Sequence, residues 1–175
     1  MPRDSEHATS PHIEQARRRA LGMIDEGATR REILTCLATA AERASGSGSA
    51  VSILVIDRNG LLRNGASPNI PSDYLDAIDH LKPDAGLGTC ASAAATGNVV
   101  ITPSFFADEK WAELRHLPLA LGFVGAWSMP IKSEEGDVLG TFGTYYRDKR
   151  EPTLQEMAGV QVLASTAALA IALTE

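Results

Sequence analysis

Two β-hairpins with short turns constrain this chain most, because they require antiparallel strands. The stronger signal comes from two apolar, β-branched and aromatic stretches, 123–133 and 137–147, which flank a turn containing Gly136. The weaker one joins a strand predicted over 50–57 to its return strand through Arg-Asn-Gly at 58–60. Connections this short can join antiparallel strands but not parallel ones. We therefore expect an antiparallel sheet.

Helical spacing of apolar residues precedes the first hairpin. From Pro11 to Ala44 the apolar positions recur every three or four residues. Gly27 is suited to end a first helix, and Thr29 with Glu32 forms a capping box that can begin a second one. The pattern predicts two N-terminal helices.

The chain also ends in a helical pattern, which begins at a second capping box, Thr153 with Glu156. The apolar side chains of this C-terminal helix are spaced to cover a sheet or a partner helix. The predicted helices lie at both ends of the chain and between the strand pairs, and strands and helices do not strictly alternate. This order indicates an α+β fold. Shorter elements are predicted as helices over 70–81, 89–96 and 105–118 and as a strand over 99–103.

Length and charge limit the organisation and the partners. A chain of 175 residues suits one domain, and we predict a single domain over 11–175 after a disordered, polar tail over 1–10. The net charge of −6 argues against binding to a nucleic-acid backbone. The sequence shows no signal peptide and no uninterrupted run of 18 apolar residues. We expect a cytoplasmic protein that binds neither nucleic acid nor membranes.

A lone cysteine, Cys90, begins the predicted helix in the small-residue stretch 86–97. The only other cysteine, Cys36, lies on an N-terminal helix, and the spacing fits neither a disulfide scaffold nor a zinc site. Three interpretations of Cys90 stay open: a reactive thiol, a ligand contact, or a small residue where two elements pack closely. The hydroxyls of Thr89 and Ser92 suit either an anion or carbonyl site or a plain capped helix.

Most of the aromatic residues lie between 105 and 146. In a pocket they would supply apolar walls with polar tips, and in a core they would fill volume. Strand alternation predicts that Phe142 faces the core, and it leaves Trp127 open between pocket and core. The four histidines share no metal-ligand spacing, so no metal site is predicted.

Five parts of the sequence, in the same order, resemble a GAF domain of the type found in bacterial sensor kinases and related signalling proteins. Ala91 departs from the pattern, because related domains commonly have glycine after the cysteine. The matching parts are SILVIDRNGLLRNGASPNIPSDYLDAID (52–79), GLGTCASAAATGNVVIT (86–102), Trp111 in ADEKWAELR, AWSMPI (126–131) with GDVLGTFGTYYR (136–147), and the REPT lead into the last helix.

The resemblance implies a central antiparallel sheet of about six strands, with the N- and C-terminal helices on one face and a ligand pocket under helices and loops on the other. It implies a small-molecule sensor of bacterial signal transduction, not an enzyme, as found in two-component systems. Such a module is expected to form a homodimer through its terminal helices and to act on an attached or separate histidine kinase or regulator. The candidate ligand-binding residues are Thr89, Cys90, Ser92, Phe105, Trp111, Trp127, Ser128 and Tyr145.

The ligand itself is not assigned. GAF domains bind cyclic nucleotides, bilins, haem or small anions, and this chain lacks both the cyclic-nucleotide signature NKFDE and a bilin-attaching cysteine-histidine pair. The sequence therefore leaves the cofactor, like the ligand, unknown.

Two alternative functions stay open. One is a thiol enzyme similar to free methionine-(R)-sulfoxide reductase, with Cys90 attacking the sulfoxide, although the resolving cysteine expected within 122–130 is missing. The other is a dimerisation module without a pocket, favoured by the apolar terminal helices.

Overall fold

Both predicted hairpins form, and they belong to one antiparallel sheet in a computed structural model that describes residues 10–46 and 48–174. Most of the predicted tail, 1–9, lies outside the described residues. The sheet has five strands rather than about six, in the order β2-β1-β5-β4-β3. The strands are β1 (Ala50–Ile56), β2 (Leu62–Ala66), β3 (Val100–Thr102), β4 (Gly125–Lys132) and β5 (Val138–Tyr146).

Three helices cover one face of the sheet, which we call the terminal-helix face. They are α1 (Pro11–Asp25), α2 (Arg30–Ser45) and α6 (Leu154–Leu173). Of these, α2 and α6 pack directly on the strands, and α1 packs mainly on α2 and α6. The predicted capping box of α2 is present, since Thr29 Oγ1 accepts from the Glu32 amide at 3.2 Å and Glu32 Oε2 accepts from the Thr29 amide at 2.9 Å. The inward side chains of these helices and of the sheet form the largest core cluster.

The opposite face, called here the α4 face, carries shorter elements. They are α3 (Ser72–Ile78), α4 (Cys90–Thr96), a 3₁₀ turn (Glu109–Trp111) and α5 (His116–Ala120). Of these, α4 lies directly over β4 and β5. The chain therefore forms the α+β arrangement that the sequence predicts.

The register at the centre of the sheet decides which residues face each side. Ser52, Gly143 and Ser128 form one cross-strand row, and the next row consists of Ile53, Phe142 and Met129. Successive residues of a strand point to opposite faces. The second row packs in the terminal-helix core, as predicted for Phe142, and the first row faces α4.

The prediction of a continuous helix over 105–118 is wrong, because the segment forms a 3₁₀ turn and the start of the short helix α5 instead. The Phe105 amide donates to the Val124 carbonyl at 2.9 Å, which holds the start of this segment beside the sheet. Asp108 then begins a 3₁₀ turn by accepting from the Lys110 amide at 3.0 Å. These contacts turn both Phe105 and Trp111 inward, which one straight helix would not achieve.

The C-terminal helix α6 begins where predicted, with Thr153 Oγ1 accepting from the Glu156 amide at 3.0 Å. The Glu156 carboxylate does not close a reciprocal box and instead accepts from Tyr146 at 2.6 Å and from Arg150 at 2.9 Å. By length and composition α6 could also cross a membrane. Core helices pass the same test, and Leu163 and other inward side chains of α6 are buried inside this fold.

Candidate functional site

The thiol of Cys90 lies against the sheet where β5 has no side chain. Cys90 is the first residue of α4, and a methyl group added at Gly143 would stand 2.9 Å from Cys90 Sγ. That distance is shorter than carbon and sulfur atoms tolerate without a shift. Gly143 therefore makes room for the sulfur, and α4 rests on the sheet through this contact.

Two hydroxyl groups flank this contact. Ser128 on β4 and Thr141 on β5 are fully buried, and neither hydroxyl has a hydrogen-bond partner among the described residues. Burial raises the pKa of the Cys90 thiol, and the nearby hydroxyls of Ser128 and Thr141 offset only part of that rise. Cys90 is therefore a neutral thiol at physiological pH, and its sulfur is a weak acceptor that leaves the two buried hydroxyls beside it without a full hydrogen bond.

The hydroxyls proposed for an anion site are engaged within the fold. Thr89 Oγ1 accepts from the Trp111 indole at 2.8 Å and shares a hydrogen bond with Thr102 Oγ1 at 2.9 Å. Ser92 Oγ donates to the Ala85 carbonyl at 3.1 Å. These bonds hold the start of α4 against β3 and Trp111. Thr89 makes no side-chain capping bond, so the hydroxyls have a structural role without capping the helix as expected.

An aromatic cluster adjoins the Cys90 contact. Its members are buried and touch one another, with ring centroids 4.3 Å apart for Phe105 and Trp111 and 5.4 Å apart for Phe123 and Tyr145. The hydroxyls of Tyr74 and Tyr145 share a hydrogen bond of 2.7 Å. Burial raises the pKa of both tyrosines. The cluster therefore forms a largely apolar wall with neutral hydroxyl groups inside it.

Trp127 does not join the other candidate residues. Its indole packs in the core on the terminal-helix face, whereas its neighbour Ser128 faces α4. Adjacent residues of a strand cannot both point into one pocket. This placement corrects the expectation that Trp127 belongs with the α4-face residues, which are Thr89, Cys90, Ser92, Phe105, Trp111, Ser128 and Tyr145.

Three residues of this region were missed from the sequence: Tyr74, Thr141 and Gly143. A signal for two of them was present, because Thr141, Gly143 and Tyr145 alternate along one strand and so share a face. Tyr74 reaches Tyr145 from a separate helix, and no local pattern could show that contact.

The two thiols lie on opposite sides of the sheet. Cys36 is on α2, on the terminal-helix side, and Cys90 is on α4. A resolving thiol is thus not available beside Cys90, and the raised pKa of its thiol disfavours the thiolate that sulfoxide chemistry requires. Within residues 10–46 and 48–174, no cluster of three or more histidine, cysteine or acidic side chains could hold a metal ion.

The Cys90–Gly143 contact can be tested by a double-mutant cycle. We expect Gly143→Ala to lower the free energy of unfolding by about 1 to 3 kcal/mol, because the new methyl group overlaps Cys90 Sγ. Adding Cys90→Ala removes the sulfur and should restore most of that loss. Urea unfolding of the wild type, both single variants and the double variant measures the coupling. Strictly additive losses would show that the sulfur and Gly143 are not in contact.

The antiparallel sheet with the terminal helices on one face is the arrangement that the sequence resemblance implies, and the comparisons agree. Residues 27–172 match the family model described as GAF domain. The chain belongs to the GAF domain family.

Similar proteins include part of a sensor. Over 154 residues the chain is 32% identical to the methyl sulfide methyltransferase-associated sensor of Methanosarcina acetivorans, a match that covers 87% of this chain. The chain spans only 15% of the length of that relative. The match relates this GAF domain to one segment of a named sensor.

Solved structures share the fold at low sequence identity. The GAF domain of a phosphoenolpyruvate-protein phosphotransferase from Coxiella burnetii superimposes with a TM-score of 0.72 at 16% identity, covering 93% of this chain and 95% of that one. The reduced form of fRMsr from Staphylococcus aureus gives 0.68 at 11% identity, covering 91% and 94%. At these identities the likeness shows the fold alone.

Proposed function

We propose that the chain is the sensory module of a signalling protein, and that it binds a small molecule between α4 and the sheet. One observation carries the proposal: the buried hydroxyls of Ser128 and Thr141 have no partner within the described part of the chain. A buried hydroxyl without a hydrogen bond costs about 1 to 3 kcal/mol. A ligand that forms hydrogen bonds with the two hydroxyls beside Cys90 would recover this cost, which favours binding at this place.

The surroundings favour a small ligand with a polar group on an apolar body. The hydroxyls of Ser128 and Thr141 can donate to or accept from the polar group. The neighbouring aromatic cluster, which includes Phe105 and Tyr145, would contact the apolar part. In this proposal the ligand displaces the packed surface of α4 rather than entering a wide open pocket.

The sheet offers a short path from this site to the terminal helices. Strands β4 and β5 contact α4 on one face and α6 on the other. A shift of α4 on ligand binding would therefore act on α6 through one layer of strands. Leu169 and Leu173, one turn apart near the end of α6, are 44% and 67% exposed, which favours pairing of α6 with a second copy of the chain or with a regulator such as a histidine kinase.

A thermal-shift screen tests the site. The probes are acetate, amino acids, nucleotides, aromatic acids, haem and methionine sulfoxide, with dimethyl sulfide added because the named relative is associated with a methyl sulfide methyltransferase. A ligand at 100 times its dissociation constant adds about 2.7 kcal/mol, so a shift of about 5 to 10 °C is expected.

The matched variants decide where a hit binds. The shift should be lost in the double variant Ser128→Ala/Thr141→Val and kept in Ser165→Ala, which removes an exposed hydroxyl on α6. A hit that survives the double variant would place binding elsewhere. No shift with any probe would favour the dimerisation module without a pocket.

A further inference from the structure

A separate cavity of about 240 Å³ lies on the terminal-helix face, where the first turns of α1 and α6 meet the last turn of α2. Ile13, Ala41 and Val160 supply apolar walls from the three helices, and Trp127 and Thr144 form the floor on the sheet. The sheet separates this cavity from the α4 face.

The floor carries two unsatisfied polar groups side by side. Trp127 and Thr144 are directly paired across β4 and β5, and each is only 1% exposed. Neither Trp127 Nε1 nor Thr144 Oγ1 has a hydrogen-bond partner among the residues that the structure describes. Buried indole N–H and hydroxyl groups ordinarily find partners. Here both belong to side chains that line the same cavity.

The hydrogen-bonding groups and charges that line the cavity indicate which kind of molecule would bind there. An indole N–H only donates, and a threonine hydroxyl can donate as well, so the pair suits one acceptor oxygen. Glu156 also lines the cavity, but its carboxylate already accepts from Tyr146 and Arg150. Because Arg150 pairs with that carboxylate at 2.9 Å, the cavity presents no uncompensated charge to a ligand, which favours an uncharged molecule.

We propose that this cavity is a second binding site, independent of the one beneath α4, for a small uncharged molecule with an apolar body and one acceptor oxygen, such as a ketone or a sulfoxide. Its size fits that class, since a cavity of about 150 Å³ is enough to bind benzene. Because three terminal helices supply its walls, an occupant would fix how α1, α2 and α6 pack together. The site therefore lies where a ligand can act on the terminal helices directly.

The test uses acetophenone as the probe and ethylbenzene as a control of similar shape without the oxygen. The chain has two tryptophans, so the indole region of a ¹H–¹⁵N spectrum holds two side-chain signals, which Trp111→Phe assigns. We expect acetophenone to move the Trp127 indole signal downfield in a saturable way, because its carbonyl oxygen accepts from Nε1. The Trp111 signal, already bonded to Thr89, should not move.

Two variants on one strand supply the matched comparison. Thr144→Val removes the hydroxyl in the cavity and should weaken acetophenone binding about fivefold, the equivalent of one neutral hydrogen bond. Thr141→Val removes a buried hydroxyl on the opposite face of β5 and should leave acetophenone binding unchanged. Ala41→Leu, which fills the cavity, should abolish it.

The outcomes separate this site from the one beneath α4. A Trp127 signal that acetophenone leaves unmoved would mean that the cavity holds water only, and it would overturn the proposal. An equal downfield shift with ethylbenzene would overturn the role of the acceptor oxygen. Loss of binding in Thr141→Val but not in Thr144→Val would assign acetophenone to the α4 face and overturn this site while supporting the other.

Discussion

Gly140→Ala is expected to prevent stable folding, with a loss of about 4 kcal/mol or more. A methyl group at Gly140 would stand 2.1 Å from the Leu54 carbonyl oxygen and 3.2 Å from Val55 Cα. The whole stability of a domain is about 5 to 15 kcal/mol, so a loss of this size removes much of it.

The overlap cannot be relieved cheaply, because the atoms involved are main-chain atoms of β1. Gly140 pairs with Val55 on one side and with Ile131 on the other, at the centre of the sheet. Moving β5 away from Leu54 would disturb the hydrogen bonds of both neighbouring strands. A flexible side chain could turn aside, whereas a paired strand cannot.

Gly22→Ala is the matched control for this substitution. Gly22 lies inside α1, and a methyl group there meets nothing within 4 Å. Alanine in a helix is more stable than glycine by about 0.5 to 1 kcal/mol, so this variant should unfold at a slightly higher temperature than the wild type. Thermal unfolding measures both variants. If Gly140→Ala melts within about 2 °C of the wild type, β5 does not approach β1 as described.

The elements that could be predicted from the sequence are those with local causes. The turn at 58–60 and the Thr29–Glu32 capping box depend on residues within four positions of one another, and both form as expected. The segment 105–118 could not be predicted, because the bond from the Phe105 amide to Val124 joins residues far apart in the chain. The apolar spacing of this segment is helical, but its hydrogen bond to the residue beside the sheet prevents one continuous helix.

In the candidate site, too, the features with local causes could be predicted and those that depend on distant residues could not. The small-residue stretch around Cys90 marked the right helix, since α4 begins at Cys90 and lies on the sheet. The face towards which Trp127 points could not be predicted. Strand alternation says only that Trp127 and Ser128 point to opposite faces, and one of them must be placed before the other is known. The role of Gly143 could not be predicted either, because it depends on where the Cys90 sulfur lies relative to β5. Such partners belong to tertiary structure rather than to a motif.

The chain is expected to lose stability steeply above pH 10 because of two buried tyrosines. Burial raises the pKa of Tyr74 and Tyr145 above the ordinary value of about 10. Both side chains therefore stay neutral in the folded protein at a pH where they ionise in the unfolded chain. Their contribution is fully present below pH 10 and is lost as the pH rises further. At pH 11 the loss is about 1.4 kcal/mol for each tyrosine, or about 3 kcal/mol for the pair.

The double variant Tyr74→Phe/Tyr145→Phe isolates this effect. It removes both ionisable groups together with the hydrogen bond that they share, so neither hydroxyl is left unpaired. Tyr146, the third tyrosine of the chain, the Cys90 thiol, whose pKa burial also raises, and all lysines remain in both proteins, so to first order their titration cancels in the comparison. Urea unfolding between pH 8 and 11 should show the wild type losing about 3 kcal/mol more than the variant. Parallel curves over this range would mean that water reaches the hydroxyls of Tyr74 and Tyr145, and that the aromatic cluster beside Cys90 is open rather than closed.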